Sequence, residues 1–84
     1  MEIRQIQYFL SIVETGSFSA AADEQFISQS SLSKKIIALE KEFGVSLFDR
    51  SKRKVFLTEA GETFLEHARK INLAYQAMVV DLNS

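Results

Sequence analysis

The sequence contains no cysteine. That absence removes disulfides, thiol nucleophiles and thiolate metal sites together, and it fits a reducing compartment. Proline is absent too, and no linker, internal repeat or low-complexity run divides the chain. Its 84 residues read as one small domain, of a size that is marginally stable alone. No apolar run approaches the roughly 18 residues needed to span a bilayer. The opening MEIRQIQYF places no apolar run behind a basic segment, so no secretory signal is expected. There is one histidine, His67, beside Ala68 on an amphipathic stretch, where it reads as a surface or flank residue. Glu59, Glu62 and Glu66 read as a solvated face near a helix start. With no Gly-rich phosphate loop, metal-ligand spacing or nucleophile–base pair, no catalytic residue, metal site or cofactor is expected, and an enzyme is excluded.

What is present is unevenly spread. The net charge is −1, which alone speaks against a polyanionic partner. Yet residues 28–58 hold seven bases and three acids, a local balance of +4. The flanks hold three bases and eight acids, a balance of −5. A basic middle between acidic flanks suits a polyanion binder, or else a set of solvated surface charges.

Periodicity predicts mainly helix. Ile6, Phe9, Leu10 and Val13 form one apolar stripe over about 3–15, which Gly16 stops. Ser17 caps a short helix over about 18–25, rich in alanine. Phe26 and Ile27 connect it to a third helix over about 29–43, capped by Ser28 and ended by Gly44. Two short extended runs follow, about 46–49 and 54–57, around a polar loop of Arg50, Ser51, Lys52 and Arg53. Thr58 caps a final helix over about 59–83. On it Phe64, Ala68, Ile71, Tyr75, Met78 and Leu82 make an a/d seam too long for the rest of the chain to cover.

The third helix carries the functional signal. Leu32, Ile36, Leu39 and Phe43 fall on one face, expected to be buried. Ser30, Lys34 and Lys41 lie nearly opposite that face, with Gln29 and Ser33 on one shoulder and Lys35 on the other. These are donors and acceptors of the kinds that read base edges in a major groove. A helix N-terminus also favours phosphate. Two short helices joined by about three residues make a helix-turn-helix, whose second member reads. Arg50, Lys52, Arg53 and Lys54 crowd a protruding tip suited to phosphates or a minor groove, or to guarding a strand edge. Two readings fit a dimeric chain. One is sequence-specific binding of double-stranded DNA. The other is a helical dimerisation or adaptor module without nucleic-acid contact.

Four segments in order narrow this choice: the Gly16-Ser17-Phe18 turn; Ser28-Gln29 followed by Leu32-Ser33; Leu39-Glu40, Gly44, Leu47-Phe48 and Arg50; and Leu57-Thr58, Ala60-Gly61. Together they resemble the N-terminal domain of LysR-type transcriptional regulators, over essentially the whole chain. The resemblance implies a mainly α fold. A winged helix-turn-helix, three helices plus a two-stranded wing, would occupy residues 1–58. A long linker helix for dimerisation would occupy 59–84. It implies a bacterial-type, cytoplasmic regulator that acts as a homodimer, with tetramers open to the full-length protein. Its DNA contacts would fall at Ser28, Gln29, Ser30, Ser33, Lys34 and Lys35, with Arg50, Lys52 and Arg53 in the wing. In the family a larger effector-binding domain follows the helix. It is missing here, so a small-molecule effector would bind outside this fragment. Position 30 is often proline in the family, position 34 arginine and position 35 glutamine; here they are Ser30, Lys34 and Lys35. Lysine lacks the planar fork that grips guanine in two bonds, so softer discrimination is expected at that base.

Overall fold

The computed structural model describes residues 1–84 as four helices: α1 (Ile3–Thr15), α2 (Phe18–Glu24), α3 (Gln29–Phe43) and α4 (Glu59–Leu82). Each start is marked in the sequence. Ser17, Ser28 and Thr58 are N-caps whose hydroxyls accept from the Ala20, Ser31 and Gly61 amides. At α1 a capping box replaces the hydroxyl, with the Glu2 amide donating to Gln5 Oε1 at 2.8 Å. Gly16 and Gly44 end α1 and α3 with φ of 71° and 67°, the left-handed region that glycine enters without steric cost.

α1 is the hub. It packs against all three other helices. Its stripe is buried at Ile6, Phe9 and Leu10, and Tyr8 and Ile12 are buried as well. Leu32, Ile36 and Leu39 of α3 complete one side of the core, and Ala21 and Ala22 let α2 approach closely. An aromatic chain ties the parts together. The Phe9 ring lies 4.8 Å from Phe64 edge-on and 5.3 Å from Phe48, which in turn meets Phe18 at 5.3 Å. Each such pair contributes about 0.5–1.5 kcal/mol beyond its area.

Three expectations change. Phe43 is 50% exposed rather than buried. α3 runs past the core there, and the ring rests only edgewise on Phe64 at 5.9 Å. The wing pairs at a single antiparallel bridge, Phe48 with Leu57, not along a ladder. Two hydrogen bonds frame it, the Asp49 amide to the Phe56 carbonyl at 2.8 Å and the Thr58 amide to the Leu47 carbonyl at 3.0 Å. Residues 50–54, between the two arms, are all polar and exposed, and nothing apolar at the tip extends the pairing. The α4 seam divides. Ala68 is 1% exposed and Phe64 half-buried, both turned into the chain's own core because the first half of α4 lies along α1. Ala68 is thus closed to a second chain. Ile71, Met78 and Leu82 stay exposed and Tyr75 half-buried.

α4 is about 36 Å long at 1.5 Å per residue, and past Ala68 no residue of it is buried. An apolar groove of about 840 Å³, lined by Met1, Phe43, Val45, Leu47, Phe64 and Ile71, opens between the end of α3 and α4. No helix is long and apolar enough to cross a membrane.

Candidate nucleic-acid interface

The N-terminus of α3 stands in solvent. Ser28, Gln29, Ser30, Ser31, Lys34 and Lys35 are exposed and Ser33 is half-buried. Ser28 is occupied by the fold: its Oγ accepts from the Ser31 amide at 3.1 Å and donates to Ser31 Oγ at 2.9 Å. The Gln29 and Ser30 amides, the first two of the helix, have no partner in the chain. They are the free N–H groups that make a helix start attractive to anions. Behind this face the helix is pinned. Leu32 and Ile36 are fully buried, and Gln5 Nε2 donates to the Lys35 carbonyl at 3.2 Å. The turn before α3 is equally fixed. The Phe26 amide donates to the Asp23 carbonyl at 3.2 Å, and the Ile27 amide to the Ala22 carbonyl at 3.0 Å, a pair that closes the end of α2.

The chain holds only two ion pairs, the N-terminus with Glu42 and Arg50 with Glu40. Lys34, Lys35, Lys52, Arg53 and Lys54 are therefore free cations. The four wing bases do not act alike. Arg50 turns back to Glu40, Nη1 to Oε2 at 3.0 Å, and supports the wing from behind. Lys52 stands with Nζ 5.8 Å from the centroid of the half-exposed Phe56 ring, a cation–π contact. Arg53 and Lys54 project without partners. Asp49 opens the tip as an Asx turn, accepting from Ser51 Oγ at 2.6 Å and its amide at 3.0 Å. The Ser51 hydroxyl, then its amide, hold the Asp49 carboxyl below the usual carboxylate range, so the turn keeps its acceptor charged.

Glu40 enters the sequence reading only as one acid of the basic middle and as part of the Leu39-Glu40 motif, with no role of its own. It is only 9% exposed. Its Oε2 accepts from the Leu47 amide at 2.7 Å, the Phe48 amide at 3.4 Å and Arg50. One carboxylate thus fastens the base of the wing to α3. The signal was its place one turn after Ile36, at the edge of the buried stripe.

A reading helix on a helical hub, a capped turn before it and a wing fastened behind it define a winged helix-turn-helix. The bacterial regulatory helix-turn-helix model of the lysR family matches residues 3–62, and the chain belongs to that family. Among curated relatives, the transcriptional regulator TfdT of Cupriavidus pinatubonensis is 48% identical over 84% of this chain. ClcR of Pseudomonas putida is 49% identical over the same share. The match spans only 31% of TfdT and 24% of ClcR. Among solved structures, the BenM_DBD complex with catB site 1 DNA superposes with a TM-score of 0.93 at 38% identity, covering 99% of this chain and 93% of that one. The CbnR_DBD–DNA complex gives 0.85 at 40% identity, covering 99% and 97%.

Proposed function

We propose that this chain binds duplex DNA sequence-specifically, as a dimer, and serves the regulation of transcription. Residues 1–58 form the winged DNA-binding unit and residues 59–84 a linker helix that pairs two copies. The observation that carries the reading is the start of α3: the exposed Gln29 amide and the Lys34 and Lys35 ammonium groups have no partner in the chain and stand beside the Ser30 and Ser33 hydroxyls, on a helix pinned from behind. Two solved neighbours held in complex with DNA support it. Gln29, Ser30, Ser33 and Lys34 address base edges, Lys35 and the first-turn amides address phosphate, and Arg53 with Lys52 reaches the flanking backbone or minor groove. Such a regulator works in the cytoplasm, where bacterial DNA lies. A small-molecule effector acts on parts of the regulator outside these 84 residues. An adaptor role leaves the free cations and the polar helix start without purpose.

Selection of bound sites from a random duplex pool tests the reading, and an unenriched pool refutes it. On the selected site, Gln29→Ala is expected to lose about 1–3 kcal/mol, and much less on random DNA. Equal losses on both would show that Gln29 reads no base.

Pairing is supported by the uncovered second half of α4 and the open groove beside it, which holds Ile71. Ile71→Glu places a charge in that surface without touching the buried core. It is expected to yield monomers in sedimentation where the parent chain gives dimers. A variant that still sediments as a dimer places the pairing surface elsewhere.

A further inference from the structure

Phe26 is 94% exposed, more than any other large apolar side chain in the molecule. A lone exposed apolar residue is ordinary, but this one also holds a strained backbone. Its φ is 58°, the only positive φ outside glycine. Glycine or asparagine fills such a place at the end of a helix at little cost, whereas a bulky side chain is strained there. The ring gives nothing back to the fold, since it is almost wholly in water. Strain kept where packing does not need it points to use elsewhere.

The position says where. Phe26 stands two residues before the Ser28 cap, so its Cα is at most about 7 Å from the cap. Hydrogen bonds to Asp23 and Ala22 fix the turn on its α2 side, and the cap fixes it on the α3 side. The turn that carries the ring therefore adjoins the unpartnered Gln29 and Ser30 amides, next to the face proposed to meet DNA. We propose that Phe26 is a DNA-contact residue whose ring covers deoxyribose carbons on the strand bordering the groove that α3 enters. This inference rests on the DNA-binding reading above. The sugar is the contact because the ring lies one turn outside the helix that faces the bases, at the groove wall. It carries no donor or acceptor, so it adds sequence-independent affinity and releases no counterions.

Phe26→Asn is the test, because asparagine accepts the left-handed backbone; Phe26→Gly is the second variant, with no side chain to make a new contact. Thermal melting and binding across a salt series are measured on the selected site and on a short duplex of random sequence. Melting temperatures should be unchanged or higher. Affinity should fall about 5- to 10-fold on both duplexes, with the slope of log K against log salt unchanged. Parent-like affinity in both variants overturns the contact and leaves the DNA reading standing. A loss confined to the selected site, or a changed slope, also overturns it, since the first means base contact and the second a disturbed ionic surface. A parent chain that binds neither duplex overturns the DNA reading and this inference together.

Discussion

Gly61→Ala is expected to destabilise the domain by about 2–4 kcal/mol, although Gly→Ala inside a helix ordinarily gains about 1 kcal/mol. Gly61 lies in the first turn of α4, where the helix crosses the base of the wing. A Cβ there would stand 2.1 Å from the Leu47 carbonyl oxygen and 3.0 Å from the Leu57 side chain. The obstacle is backbone and is held in place, because that carbonyl accepts from the Thr58 amide at 3.0 Å and Leu47 is itself buried. The helix start cannot retreat either, since the Thr58 hydroxyl caps Gly61 and also donates to the Ser46 carbonyl. Overpacking therefore outweighs the propensity gain. A loss of this size lowers the melting temperature of so small a domain by about 10–25 °C. A variant that melts higher than its parent would show that α4 does not press on the wing at this point.

Glu40→Ala should cost a similar amount, about 2–4 kcal/mol in urea unfolding, for a different reason. The substitution leaves the Leu47 and Phe48 amides, both in a buried segment, without their acceptor. Each orphaned donor costs about 1–3 kcal/mol. Arg50→Ala removes only the partly exposed member of the pair, whose side chain is 47% open. It should cost about 1 kcal/mol or less, as an ion pair facing water does. The inequality is the test. Equal costs would mean that the ion pair, and not the amide contacts, holds the wing to α3.

Much of the architecture was legible because its signals are local. Ser17, Ser28 and Thr58 announce helix starts through their own hydroxyls, and Gly16 and Gly44 announce ends through their own backbone. The stripe of α1 and the polar opening of α3 are periodic within one element. The rest depends on contacts between segments far apart in sequence. Nothing near Glu40 says that its partners are amides seven and eight residues on, within an aperiodic stretch. Gly61 looks like a weak helix residue until Leu47 is placed against it. Heptad spacing carried the α4 seam through Phe64 and Ala68, but period alone cannot tell whether the facing surface belongs to the same chain or another. Arg50 and Arg53 look alike in sequence, yet a buried carboxylate claims the first and leaves the second free. In the turn, Phe26 looked like an apolar connector, and only coordinates show it in water with a left-handed backbone.

The central place of α1 has a consequence for synthesis. α1 precedes the three helices that cover it, and its last partners, Leu65 and Ala68, lie some sixty residues downstream. At roughly 5–20 residues per second, Phe9 and Ile12 wait several seconds for their enclosure. The nascent chain thus carries α1 incompletely covered until α4 emerges, and closure is set by that emergence.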